Sequence, residues 1–422
     1  MRKYSESKSK LRFPPWVQAI TLLLATSAIL GNLLPSFTLS FGSLFPFRLL
    51  LPIYIGALGF AIVAHTKYKI GFPKITVALL GVVCLGVIGT LLGLIFGQGP
   101  EFTQLIVLLL RVVLLFTIVT VVITRTDIYR VWALLTCLAL LSFMLVSIEL
   151  TTGWHIAGSQ LQTLPERLPY SNFVTAWYTN INDLAFFLLM STTPALVMGL
   201  HQDTNLLSRL FYICVWIIGA ALTIHLNSRA VMIAYVMSVV TAFTLTHADS
   251  IRRQVQEIPS RAGKISIPIC GIALAAMFVF IPNPVPDVGS SIWIRWQLQK
   301  AAILEGGLFG HGFGSSIPIL ELSSIDTGGI FSPHSWYGAF AIDAGIIGLI
   351  LFFVFYAGLV TRLLRTANLQ DPIPVMSITA LISLPVAGLG SSNVLYLPTF
   401  WIILAVSIVT LRRYDGYYPT RN

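Results

Sequence analysis

Residues 103–124 read TQLIVLLLRVVLLFTIVTVVIT, a run of mostly aliphatic side chains that contains one charged residue, Arg111. A helix crosses the hydrocarbon core of a bilayer with roughly 20 apolar residues. This run therefore predicts a membrane-spanning helix. It lacks the alternating pattern, about ten residues long, that the strands of a membrane barrel require.

Eleven further runs resemble it in length and composition. The twelve predicted spans are residues 16–34, 47–65, 75–96, 103–124, 131–150, 174–200, 208–225, 230–247, 265–281, 336–360, 375–390 and 396–411. Of the 422 residues, 56% are apolar and only 10% are charged, whereas ordinary soluble domains carry about 25% charge. The sequence excludes a water-soluble globule. It predicts an all-α, polytopic membrane bundle of about 12 helices, with residues 1–422 forming one integral-membrane domain.

Basic residues concentrate in alternate connections. With the N-terminus in the cytoplasm, 20 of the 26 Lys and Arg residues fall on the cytoplasmic side, four fall outside and two lie within runs. Because cytoplasmic loops retain such residues, the pattern predicts that both termini are cytoplasmic. The basic residues form no patch or stripe, so the net charge of +10 does not indicate nucleic-acid binding.

The longest connection on the predicted outer side is the segment 282–335, a large extracytoplasmic loop between the ninth and tenth spans. A loop of this length is either functional or disordered, and its content of Trp, Ile and Gly favours the first. No metal site is indicated. The four cysteines all lie within apolar runs and are expected to be small core residues; they are Cys84, Cys137, Cys214 and Cys270.

Two of the three arginines on the predicted outer side are candidate phosphate ligands, against the distribution of the other basic residues. Arg229 follows Ser228 between runs 7 and 8, where a guanidinium at a helix N-terminus suits a phosphate; the alternative is an arginine that anchors the helix end to lipid headgroups. Arg295 lies in SSIWIRWQLQK (290–300), which predicts a short amphipathic helix at the outer interface. There Arg295 either binds a phosphate or solvates the polar face of the amphipathic helix.

Other candidate ligands lie nearby in the sequence. The tract GGLFGHGFG (306–314) predicts a turn whose amides form an anion nest, with Gly306, Gly312 and Gly314 as its glycines. Arg48, near the outer end of run 2, is a third candidate phosphate contact. Asn182, at the polar start of run 6, is expected to line a cavity; a hydrogen bond to a neighbouring helix is the alternative.

The large loop ends at His334 and Ser335, where the next predicted span begins. A histidine at this boundary is either a general base or a local hydrogen-bonding residue. Asp343 follows two to three turns later, where a carboxylate is costly unless it is paired or faces the bundle interior.

Taken in order, these motifs resemble the superfamily of O-antigen ligases and Wzy-type polysaccharide polymerases, which are bacterial membrane glycosyltransferases. The resemblance covers residues 175–360. The matching pieces are Asn180 with Asn182, Ser228 with Arg229, Arg295 with Gly306, and His334 with Asp343, Gly345 and Gly348. Two positions depart from the family pattern: Ser335 stands where Asn is usual, and Asp343 replaces the common Glu.

The resemblance implies a GT-C-like fold and an inverting, metal-independent glycosyl transfer at the outer face of the plasma membrane, without a cofactor. The implied donor is a glycan on a polyprenyl pyrophosphate. Arg229 and Arg295 would hold the pyrophosphate, and His334 would take the proton from, or orient, the acceptor hydroxyl. The candidate substrate-binding residues are Arg48, Asn182, Ser228, Gly306, Gly312, Gly314, Ser335 and Asp343.

The expected function is that of a polysaccharide polymerase, which joins lipid-linked repeat units. Its partners would be the donor, a glycan acceptor, membrane lipid, a flippase and a chain-length regulator. A ligase that moves the glycan to another acceptor shares the donor chemistry and is the first alternative. A polysaccharide transporter or flippase is the alternative from another class. Transporters commonly carry repeats and midplane polar residues, whereas the polar groups here gather on one predicted side.

Overall fold

A computed structural model describes residues 13–31, 37–39, 42–44, 46–64, 73–95, 102–154, 174–178, 180–201, 203–247, 291–325, 333, 335–391 and 394–414. Its helices are α1 (Pro15–Ile29), α2 (Pro46–Ala64), α3 (Thr76–Ile95), α4 (Phe102–Val121), α5 (Arg125–Thr152), α6 (Ile181–Leu200), α7 (Leu206–His225), α8 (Arg229–Thr246), α9 (Ser291–Gly306), α10 (Ser316–Leu322), α11 (Trp336–Thr366), α12 (Pro372–Ala387) and α13 (Pro398–Tyr414). A short antiparallel hairpin, β1 (Phe37–Leu39) and β2 (Gly42–Leu44), precedes α2.

Seven of the described helices, α3 to α8 and α11, are long and apolar enough to cross a membrane. Helices α1 and α12, and the part of α2 from Pro46 to Gly56, are apolar but shorter. The chain is therefore a multi-pass membrane protein built as a helical bundle, and that part of the prediction is confirmed. The predicted span 265–281 lies outside the described residues.

Local capping residues, rather than hydropathy, decide where two of these helices begin. Thr124 and Asp127 form a capping box, which satisfies orphan amides, so α5 begins earlier than the apolar run predicts. Asn180 caps α6 by accepting a hydrogen bond from the Asn182 amide at 2.8 Å. Residues 174–178, predicted as helix, form a turn instead. The Glu149 carboxylate holds that turn by accepting hydrogen bonds from two of its amides, at 2.9 and 3.0 Å.

Helices α6, α12 and α13 form the centre of the bundle. Of the apolar part of α6, 89% is buried inside the protein, compared with 17% for α7. Nearly all of α12 and α13 is also buried, and α12 packs against α6, α8 and α13. A helix that is apolar on all sides is stable in such a central position.

Three of the four cysteines lie on the surface of the bundle, which corrects the prediction that they are core residues. Cys84, Cys137 and Cys214 are exposed, and Cys270 lies outside the described residues. Hydropathy does not distinguish the two positions, because a membrane helix presents apolar side chains to lipid as well as to its neighbours.

One end of the bundle gathers basic connections and is called the basic end below. The Arg125 guanidinium lies 3.2 Å from the Asp371 carboxylate, and the Tyr414 hydroxyl also donates to Asp371. Gln18 donates to Asp127 at 3.3 Å. These contacts join the beginnings of α1, α5 and α12 to the end of α13. That this end is cytoplasmic stays a prediction from the distribution of charge.

Helix α11 reverses direction at Gly345, which has φ 71° and ψ −179°. The ring of Trp336 lies 5.2 Å from that of Phe352, and Phe340 lies 4.5 Å from the same ring. In a straight helix, the rise per residue would separate Trp336 from Phe352 by about 24 Å. Residues 336–344 (the re-entrant segment) therefore run back alongside residues 346–366 (the long segment). The long segment is therefore the part of α11 that is a candidate to cross a membrane, in place of the predicted span 336–360.

Gly345→Ala is expected to destabilise the protein. A side chain at this φ is strained by about 1–3 kcal/mol, and the new Cβ would lie 2.3 Å from the Leu308 carbonyl oxygen. The variant should unfold at a lower temperature in detergent. Gly56→Ala is the matched control, because a Cβ there meets nothing within 4 Å. Equal melting temperatures for the two variants would contradict the reversal.

Candidate functional site

The connection between α12 and α13, residues 388–397, forms the centre of the candidate site. Arg295, in the second turn of α9, donates from Nη1 to the Leu389 carbonyl at 2.8 Å. The Ser391 hydroxyl donates to the carboxylate of Asp183, which lies in the first turn of α6. The connection therefore joins α9 to α6 at the end of α12 that lies away from the basic end.

The N-terminus of α8 reaches the same connection. Ser228 is 2% exposed, and its Oγ lies 3.3 Å from the position that a Cβ on Gly390 would take. Among the described residues this Oγ has no hydrogen-bond partner, and it does not cap α8. Asn227 turns the chain into α8 with φ 52°, a left-handed conformation that Asn tolerates. A buried, unused hydroxyl thus lies beside Gly390.

Arg229 and Arg295 lie close enough to influence each other electrostatically. Burial lowers the pKa of the Arg295 guanidinium from its ordinary value; the nearby Tyr337 opposes this shift, and Arg229 adds to it. Arg295 is partly buried and Arg229 is exposed. An arginine stays protonated at neutral pH, so the fold holds two positive charges together. The structure brings together these two predicted residues and Ser228.

Gln299, one turn after Arg295 on α9, fixes the end of the large loop. Its Nε2 donates to the Pro333 carbonyl and its Oε1 accepts from the Ser335 hydroxyl, both at 2.7 Å. Ser335 also caps α11. His334 lies outside the described residues, but both of its neighbours in the chain are held to the helix that carries Arg295. The sequence did not predict a role for Gln299, because a single glutamine in an amphipathic tract does not indicate which residues it hydrogen-bonds to.

The glycine-rich turn binds a carboxylate of its own chain. Asp343 is fully buried, and its side chain accepts hydrogen bonds from the Gly314 amide and the Ser315 hydroxyl, both at 3.4 Å. The Gly312 amide donates to the Asp343 carbonyl at 2.9 Å. These contacts engage the Gly312 and Gly314 amides and the Asp343 side chain within the protein. That the three residues bind substrate stays a prediction.

Gly306 allows α9 to pack closely on the re-entrant segment. A Cβ at this position would lie 2.0 Å from the Ala341 carbonyl oxygen, so only glycine permits this approach. Beside it, three α9 residues form a small buried cluster with Leu320 of α10 and Ile342; the three are Leu298, Ala301 and Ala302. One face of α9 therefore packs on the re-entrant segment, while Trp296, Ile303 and Leu304 are exposed. That α9 lies at the outer interface and that Gly306 binds substrate stay predictions.

Arg48 and Asn182 are the two remaining candidate residues. One electrostatic neighbour of Arg48 is Arg111 in α4. Arg111 donates from Nε to the Tyr396 carbonyl at 3.3 Å, near the α13 end of the same connection. Asn182 is partly buried beside Asp183 in the first turn of α6. Arg111 was visible in the sequence, but it was not predicted as a site residue.

Comparisons with protein-family models and with curated proteins give no match. The resemblance to O-antigen ligases and polysaccharide polymerases therefore stays a prediction. In the described part of the chain, no group of three or more His, Cys, Asp or Glu side chains is arranged to hold a metal ion. The contacts around the α12–α13 connection carry the functional argument.

Asp343→Ala is expected to lower stability without weakening substrate binding. It removes a buried, hydrogen-bonded carboxylate, which typically costs about 1–3 kcal/mol. Thermal unfolding in detergent checks the first effect, and binding of a polyprenyl pyrophosphate to the folded variant checks the second. Asp203→Ala, at an exposed position, is the control. A variant of normal stability that fails to bind the lipid would restore Asp343 to the substrate site.

Proposed function

We propose that the chain is a polysaccharide polymerase that joins polyprenyl-pyrophosphate-linked oligosaccharide repeat units at the outer face of the bacterial plasma membrane. The observation that supports this proposal is the pairing of Arg229 with Arg295 around the α12–α13 connection. Within the described residues, neither arginine forms an ion pair with a carboxylate. Two neighbouring cations without an internal counter-ion favour an anionic ligand.

Phosphate is the anion that suits these groups. Guanidinium forks bind phosphate oxygens in a bidentate manner, and the N-terminus of α8 adds the positive end of a helix dipole. The unused Ser228 hydroxyl offers a further donor. Two large apolar side chains nearby, Trp296 beside Arg295 and Ile224 at the end of α7, are 56% and 61% exposed. Apolar surface beside a phosphate site suits a phosphate that is carried on a polyprenyl chain.

The proposed reaction is one displacement at the anomeric carbon of the donor sugar. The oxygen of an acceptor hydroxyl bonds to C1 as the bond from C1 to the pyrophosphate oxygen breaks, which inverts the configuration. The electron pair leaves on the pyrophosphate, where Arg229 and Arg295 stabilise the growing charge; a preorganised donor of this kind is often worth ~3–4 kcal/mol. His334 takes the proton from the acceptor hydroxyl. This scheme requires no metal and no cofactor.

A twelve-span, GT-C-like architecture with both termini in the cytoplasm belongs to the same proposal. The position of the site at one end of α12 supports this orientation. Helix α12 begins at the basic end, where Asp371 meets Arg125, and ends at the connection that holds Arg295. If the basic end is cytoplasmic, as positive residues favour, the site faces the outer leaflet.

Arg295→Lys is expected to lower transfer at least about 10²-fold, because lysine keeps the charge but loses the fork that binds phosphate. The assay incubates the purified protein with a polyprenyl-pyrophosphate oligosaccharide and separates the products by size. The wild type should give a ladder of chain lengths. Lys300→Gln, at an exposed position on the same helix, is the control and should keep the ladder. A single conjugate to an added acceptor would instead identify a ligase, and full activity of Arg295→Lys would refute the arginine clamp.

His334→Ala is expected to slow transfer by about 10²- to 10⁴-fold, the usual worth of a general base, while donor binding stays largely intact. Rates are measured in the same assay, and binding is measured with the unreacted donor at low temperature. His201→Ala, after the end of α6, is the control. An unchanged rate in His334→Ala would remove this imidazole from the mechanism.

A further inference from the structure

Four side chains near the α13 end of the α12–α13 connection bury polar atoms that make no hydrogen bond within the described residues. The atoms are Nη1 of Arg111, Nε1 of Trp177 and the hydroxyl oxygens of Tyr178 and Thr399. Trp177, Tyr178 and Thr399 are 2%, 7% and 0% exposed. Buried polar groups almost always have partners, so each of these atoms requires one. The four side chains are called the donor cluster below.

The chain brings the members of the donor cluster together. Arg111 donates from Nε to the Tyr396 carbonyl at 3.3 Å, and Thr399 follows Tyr396 by three residues, in the first turn of α13. The Tyr178 hydroxyl lies beside the Thr399 hydroxyl and the Trp177 indole nitrogen, although no hydrogen bond of good geometry joins them. Tyr178 and Arg111 also influence each other electrostatically. The unused polar atoms therefore lie in one region.

The donor cluster requires an acceptor that carries negative charge. A guanidinium N–H and an indole N–H only donate, and both hydroxyls are able to donate as well. A water molecule accepts from two such donors but leaves the charge of Arg111 uncompensated. Within the described residues Arg111 forms no ion pair with a carboxylate, and one charged side chain that acts on it, Arg48, has the same sign. Because an uncompensated cation is costly at membrane depth, an anion is the favoured ligand.

The position of Arg111 restricts this anion to a small one with a single charge. Arg111 lies near the middle of α4, which is long and apolar enough to cross a membrane, and the cost of removing an ion from water rises steeply with its charge. The Arg111 guanidinium lies over the ring of Phe47 at 4.8 Å, so a ligand binds at its edge, where the N–H groups lie in the plane. A halide ion accepts hydrogen bonds from several directions, which suits this mixture of N–H and O–H donors.

We infer that Arg111, Trp177, Tyr178 and Thr399 form a binding site for a small monovalent anion of the halide type, such as chloride. The anion accepts hydrogen bonds from these side chains and compensates the charge of Arg111. It joins α4, the turn that precedes α6 and the beginning of α13. The inference does not depend on the proposed function, because the anion is a structural ligand and not a substrate.

Thermal unfolding in detergent tests the inference, with sodium bromide replacing sodium gluconate at constant ionic strength. A ligand that binds only the folded protein raises the melting temperature as its concentration increases. The wild type should therefore gain stability as bromide replaces gluconate, whereas Arg111→Gln should melt at the same temperature in both salts. Trp177→Phe and Thr399→Val each remove one hydrogen bond to a charged ligand, so they should weaken bromide binding about 10- to 100-fold.

Trp132→Phe and Thr379→Val are the matched controls. Their polar atoms are also buried without a hydrogen-bond partner in the described structure, but they lie in α5 and α12, which contribute nothing to the donor cluster. Both variants should keep the bromide dependence of the wild type. This comparison separates loss of the site from a general effect of salt, or of removing a buried polar atom.

Crystals grown in bromide give the direct measurement, which should show an anomalous scattering peak beside Nη1 of Arg111. A wild type that melts equally in bromide and gluconate would overturn the inference and indicate that water is the ligand. Stabilisation by inorganic phosphate instead of bromide would contradict a monovalent site. If Arg111→Gln fails to fold, Trp177→Phe and Thr399→Val still decide the question, since bromide binding of wild-type strength in both would overturn the inference.

Discussion

Guanidinium groups inside a membrane bundle must be solvated by the protein, and this requirement organises the candidate site. Helical carbonyls are already used within their own helices, so they are poor ligands for an additional charge. The chain supplies carbonyls in the connection between α12 and α13, where Leu389 accepts from Arg295 and Tyr396 from Arg111. Helix α12 ends here, and carbonyls of the connection accept hydrogen bonds from the arginines, as water would in a soluble protein.

The supporting structure around this connection is built from close backbone contacts. The reversal at Gly345 lays the re-entrant segment beside the long segment, and Gly306 lets α9 pack against its outer part. Asp343 then ties the glycine-rich turn to the reversal by accepting hydrogen bonds from that turn. These contacts hold α9 in one orientation. Arg295 and Gln299, which project from α9, therefore have fixed partners in the α12–α13 connection and in the loop that precedes α11.

The sequence predicts the membrane bundle and indicates Arg229 and Arg295 as candidate ligands, because both features are local: apolar length in one case, and charge on an unexpected side in the other. The sequence does not predict the reversal of α11, because residues 336–360 form one apolar run and Gly345 resembles any helical glycine. Glycines suited to a phosphate turn are equally suited to contacts with Asp343, so composition did not reveal the partner of the turn within the protein. Arg111 was equally hard to place, because its partner Tyr396 lies 285 residues away in the chain.

Gln299 anchors the two residues on either side of position 334 to α9. An amide donates through one atom and accepts through the other, and Gln299 uses both, toward Pro333 and Ser335. Unlike a carboxylate or an imidazole, an amide does not titrate. Pro333 and Ser335 are thereby anchored to α9 by a group that is indifferent to the acidity of the surrounding medium, so acidification leaves this anchor in place.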